Sequence, residues 1–232
     1  MLARLARRAF LWAGVVAPVL FVAVFLIDGA TRAGYDPSRH QVSLLSLGDR
    51  GWVQTLSFLV TGALLIVFAI ALRAHLAAGP SAMAARSGPV AIGVSGLGFV
   101  LAGVFPTQPL FGYPPGAPAG MATEITPGSL VHVGAAMLLF FGLIVAAAVF
   151  ARRFWRVRAR GWAVGSALAG VIVFVAFGAS GSGPSGELLL PASAGLVQRI
   201  ALVTGLGWVL LLALHEISTA AHAGHRRADL VG

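Results

Sequence analysis

The chain has 232 residues, 58% of them hydrophobic and only 10% charged, with a mean hydropathy of +0.92. A soluble domain carries about a quarter of its residues as charges, so this composition excludes an ordinary water-soluble fold and makes lipid the solvent for much of the surface. The formal net charge of +9 comes entirely from arginine, and the absence of cysteine excludes disulfides, thiolate catalysis, iron–sulfur clusters and cysteine-ligated zinc.

Arg4, Arg7 and Arg8 precede the first apolar run, 9–27. Its length and its Phe25-Leu26-Ile27-Asp28 end favour a membrane span over a signal peptide, which needs small residues at the cleavage site. A gap of mixed charge follows, holding Asp28, Arg32, Asp36, Arg39, Asp49 and Arg50. The second span, 52–72, ends at Arg73, and Arg86 precedes the third, 89–105. The gap from Pro106 to Ser129 is rich in Pro and Gly and carries Glu124. The fourth span, 130–150, runs into the basic stretch Arg152, Arg153, Arg156, Arg158 and Arg160. The fifth, 162–179, is followed by a gap with Glu187, and the sixth, 197–214, by a tail with Arg226 and Arg227. Each run is long enough, or nearly so, to cross about 30 Å of hydrocarbon at 1.5 Å per residue. Residues 1–232 therefore read as one all-α, polytopic membrane domain, a six-helix transmembrane bundle.

The arginines fall on alternate gaps. Only Arg32, Arg39, Arg50 and Arg199 lie on the other side, beside Asp28, Asp36, Asp49, Glu124 and Glu187. The positive-inside rule puts both termini in the cytoplasm. It also accounts for the net charge without a nucleic-acid partner. Trp52, Trp155 and Trp162 stand at span edges, where amphipathic rings prefer to sit.

The entrances of the even-numbered spans echo one another. Gly51-Trp52-Val53-Gln54 leads to Leu59-Val60-Thr61-Gly62, and Gly195-Leu196-Val197-Gln198 leads to Leu202-Val203-Thr204-Gly205. Span four opens as Gly128-Ser129-Leu130-Val131-His132. The pattern predicts three helical-hairpin repeats, with Gln54, His132 and Gln198 at related depths as a polar floor beneath the outer loops.

Several stretches carry a family resemblance. They are Gly34-Tyr35-Asp36-Pro37-Ser38-Arg39-His40-Gln41-Val42-Ser43 with Gly51-Trp52-Val53-Gln54, then Phe105-Pro106-Thr107, Gly128 with His132, and Gly195 with Gln198-Arg199. Together they resemble the DUF998 family of multi-span bacterial and archaeal membrane proteins. The resemblance runs over essentially the whole chain and implies a prokaryotic cell-membrane location and a fold, with no settled activity. Where family members often have an acid and a proline after the Thr, this chain has Gln108-Pro109.

The candidate ligand-binding residues are Asp36, Arg39, His40, Gln54, His132, Gln198 and Arg199. Asp36-Pro37 can begin a turn, and Arg39 can pair with Asp36 or Asp49 or hold an anionic group. His132 follows a helix start, but no second His lies four residues away, so no metal is expected. His132, His75 and His215 sit at unmatched depths for one haem, and no cofactor is expected. Arg199 breaks the charge alternation at the head of an apolar helix. It must snorkel, pair with Glu187, Glu124 or Asp49, or face a cavity. Gly161, Gly165 and Gly170 read as helix-packing positions. The span interiors lack midpoint charges, which argues against ion-coupled transport. No acid–base or metal set with diagnostic spacing points to catalysis. The favoured reading is an outward polar pocket for a lipid or small molecule, with a small transporter or channel, or a membrane-embedded enzyme acting on lipid or glycan, as alternatives. The partners expected are membrane lipids; oligomeric state is not legible.

Overall fold

The computed structural model describes residues 9–77, 82–120, 124–181, 189–190 and 192–228. Its helices are α1 (Ala13–Thr31), α2 (Gly51–Leu76), α3 (Ala82–Val104), α4 (Pro127–Arg156), α5 (Arg160–Ala179) and α6 (Ala194–Ala228), with a short 3-10 helix at Val42–Ser46. Among the described residues six helices are long and apolar enough to cross a membrane.

Helix ends follow local chemistry. α1 continues past Ile27 because Asp28 is not released to water. Its carboxylate takes the Arg32 guanidinium one turn on at 2.9 Å, and Thr31 Oγ1 donates back to Ile27 O at 3.1 Å. α4 begins with Thr126 as N-cap, its hydroxyl accepting the Ser129 N–H at 3.2 Å, and with Pro127 in the first turn, where a missing N–H costs nothing.

Each helix packs against its chain neighbours, and α6 returns to α1, so the bundle is a closed ring. Small residues let backbones approach without a hydrophobic force between helices in lipid. A Cβ on Gly62 would lie 2.5 Å from Gly96 O, and one on Gly142 would lie 2.7 Å from Ala91 O. Phe21 fills the axis between α2 and α3, its ring 5.2 Å from Phe58 and 4.8 Å from Phe99. Gly170 packs as expected, 3.2 Å from Ala147 Cβ, whereas Gly161 and Gly165 face open space. They serve no helix contact because they line an outward groove between α5 and α6.

At the end of the bundle nearer the termini, buried Glu216 of α6 takes Arg153 of α4 at 2.6 Å and lies 3.3 Å from His75 Nε2 of α2. Three alternate helices of the ring are thereby tied across its axis. The long loops gather at the opposite end.

Candidate functional site

Residues 32–50 form a strap across the loop end of the ring. Its first anchor is Asp28, 2% exposed, which sits between Arg32 and Arg50, with Arg50 Nη2 at 2.6 Å. The Arg32 guanidinium also donates to Leu45 O at 2.8 Å, Leu47 O at 2.9 Å and the Tyr113 hydroxyl at 3.1 Å. One fork thus ties α1, the strap and the second loop together.

The middle of the strap is an aromatic wedge. Tyr35, His40 and Tyr113 contact one another with centroids 5.2–5.5 Å apart. His40 Nδ1 accepts the Asp36 N–H at 2.9 Å, so Nε2 carries the proton and donates to Phe111 O at 3.0 Å. Burial pushes the Tyr35 hydroxyl up to about 12, against the opposing pull of Arg199. Asp36 is exposed and turns the chain, accepting from Ser38 Oγ at 2.7 Å and Ser38 N at 2.9 Å. Those bonds hold its carboxyl below the usual aspartate range. Arg39 is exposed and reaches only Ala119 O, at 3.4 Å.

Arg199 is the second anchor. It is 8% exposed, and its Nη1 donates to Pro37 O at 2.6 Å, His40 O at 2.9 Å and Gly195 O at 2.9 Å. Its Nη2 donates to the Tyr35 hydroxyl, which in turn can donate to His40 O or Gln41 O, each at 3.1 Å. Among the described residues no carboxylate lies within salt-bridge distance of Arg199, so it pairs with neither Asp49 nor Glu124; Glu187 lies outside the described residues. Expected at a pocket rim, Arg199 instead lies under the strap, because carbonyls of a chain turn neutralise a buried guanidinium well. Gly195 permits this: a Cβ there would meet His40 O at 2.3 Å.

Beneath the strap is a cavity of about 30 Å³, lined by Val42, Ser43, Phe58, His132, Gln198 and Leu202 among others. A buried water needs roughly 10–15 Å³ of such space, so one or two fit. His132 Nδ1 donates to Phe105 O at 2.8 Å, leaving the lone pair of the neutral ring on Nε2. Gln198 Oε1 accepts the Val42 N–H at 2.8 Å, leaving its amide NH2 to donate. The sequence-selected residues therefore separate into groups. His132 and Gln198 share the cavity, and Arg199 and His40 hold the strap. Asp36 and Arg39 lie outside on the surface. Gln54, 0% exposed, does not line the cavity, and both its amide atoms lack a hydrogen-bond partner, as do Ser57 Oγ and Thr61 Oγ1 on the same helix face.

The sequence marks Arg32 and Arg50 as arginines out of place beside acids, and the structure pairs both with Asp28, but the sequence gives no role to Tyr35 or Tyr113. The Asp28/Arg32 spacing of four was the readable signal; the tyrosine partners come from contacts distant in sequence. Gln108 caps the start of α4, accepting from Thr126 N at 3.0 Å and Ser129 Oγ at 2.8 Å. Among the described residues no group of three His, Asp or Glu side chains could hold a metal ion.

Six apolar helices with a hydrogen-bonded cap of loops define a multi-pass α-helical membrane protein. The chain belongs to DUF998, a family described as protein of unknown function, whose model matches residues 15–215. No curated protein and no solved structure matches it.

Proposed function

We propose that this is a non-enzymatic binding protein of the cell membrane, with both termini cytoplasmic, that takes a neutral hydroxyl-bearing small molecule or lipid headgroup beneath the strap. The arrangement of the arginines supports the orientation. The observation that carries the site is the meeting of Ser43, His132 and Gln198 in one cavity with no charged residue in its lining. A hydroxyl can donate to His132 Nε2 and accept from the Gln198 amide, while an ion would find no counter-charge. At about 30 Å³ the cavity is too small for such a molecule, so binding goes with displacement of the Val42–Ser46 turn. The reading keeps the three hairpins as repeats, supported by the burial of Gln54, His132 and Gln198 near the loop end.

The test is native mass spectrometry of the detergent-solubilised chain with a monoacylglycerol and with the same molecule methylated at its hydroxyls. The free hydroxyl form is retained and the ether is not, and His132→Ala with Gln198→Leu abolishes the difference. Equal retention of both by the wild type contradicts the reading. A transport reading draws on the unpartnered Gln54, Ser57 and Thr61. Against it, fully buried Leu65, Phe68 and Leu72 continue the same helix toward the termini as an apolar plug.

A further inference from the structure

We infer that the protein holds an anionic phospholipid at the start of α5, with its headgroup on Arg152 and Arg160 and its acyl chains in the grooves on either side of that helix. This site lies at the end opposite the strap and does not depend on the proposed function. Two independent features converge there. The first is charge: Arg152, Arg156, Arg158 and Arg160 are all exposed, and among the described residues no carboxylate lies within salt-bridge distance of any of them. The neighbouring Arg153 differs, turning inward to Glu216 at 2.6 Å. The second is shape. A cleft of about 250 Å³ between α4 and α5 is lined by Arg152 and Trp155 at its basic end and by Ala163, Val164 and Ala167 along its length. A groove of about 620 Å³ on the other face of α5 runs past Gly161, Gly165, Ser166, Thr204, Gly207 and Leu211.

The groove exists because side chains are missing: a Cβ on Gly161, Gly165 or Gly207 would meet nothing within 4 Å. Topology alone accounts for positive charge at this end, but not for apolar channels opening at the feet of those charges. The Arg160 guanidinium lies 3.7 Å over the Trp155 ring, which holds it at the cleft mouth. Two arginine forks suit a phosphate diester, and each basic residue near an anionic surface strengthens the attraction. A zwitterionic lipid fills the same grooves but brings a cation to an already cationic mouth, so charge complementarity selects the anionic headgroup.

The test reads retention of phosphatidylglycerol against phosphatidylcholine by native mass spectrometry of the full chain. The wild type retains phosphatidylglycerol several-fold better. Arg152→Ala with Arg160→Ala brings the ratio to about one, while the charge-matched pair Arg73→Ala with Arg86→Ala leaves it unchanged. An equal fall in both pairs means diffuse charge and overturns the site, as does no fall in the first. Gly165→Leu, which fills the groove and keeps every charge, lowers retention of both lipids; unchanged retention contradicts the groove. The chain has no cysteine, so Gly165→Cys reports a second copy on this face: disulfide-linked dimers in phosphatidylglycerol bilayers would replace the lipid by a protein partner and overturn the proposal.

Discussion

Arg39 and Arg199 look alike in the sequence, two arginines on the sparsely basic side of the chain, yet they have different physics. Arg39 is solvated and touches one carbonyl at 3.4 Å. Arg199 is buried against three carbonyls and the Tyr35 hydroxyl. Arg199→Met strands those acceptors and is expected to cost roughly 3 kcal/mol, whereas Arg39→Ala stays within about 0.5 kcal/mol. Thermal unfolding of both variants in detergent checks the contrast, and equal midpoints would refute it. Tyr35 supplies a pH test of the same contact. Its folded pKa of about 12 stands above the ordinary value of 10. Its contribution to stability is therefore complete below pH 10 and is lost as pH rises toward 12. Unfolding midpoints should fall across that window in the wild type and fall less in Tyr35→Phe.

The helices were legible in the sequence because apolar length is a one-dimensional signal, and the six long apolar helices carry it plainly. The strap was not. Its residues 32–50 suggest a polar loop, and only the fold reveals that Asp28, with Arg32 and Arg50, gathers both of its ends while Arg199 and Gly195 hold its middle at Pro37 and His40. The grouping of Gln54 with His132 and Gln198 rested on matched helix entrances. Depth can be read from such a match, but helix rotation cannot, and Gln54 lies outside the lining of the cavity. Gly195 allows a test at this scale. With Pro37 O 2.7 Å and His40 O 2.3 Å from the position of a Cβ, Gly195→Ala forces the strap off α6. An overpacking cost of about 1–3 kcal/mol is expected, together with faster hydrogen exchange confined to the strap. Exchange rising evenly over all six helices would mean that the strap is not a separate unit.

As a whole, the bundle is tied at both ends: by the strap, and by Glu216 with Arg153 and His75 across α2, α4 and α6. The acid at that second tie was visible in the sequence, but its partners come from helices far apart along the chain, which no local pattern reveals. The central claim is that the strap lies on the outer side and that Arg199 holds it shut over the Ser43–His132–Gln198 cavity. Because the chain lacks cysteine, labelling of single-cysteine variants in intact cells with a membrane-impermeant maleimide tests this most directly. Ser38 is exposed and Ser43 is buried. The account predicts that Ser38→Cys labels, that Ser43→Cys does not, and that Ser43→Cys becomes reactive when combined with Arg199→Met. Labelling of Ser38→Cys only after lysis, or of Ser43→Cys at the same rate with and without Arg199, would contradict it.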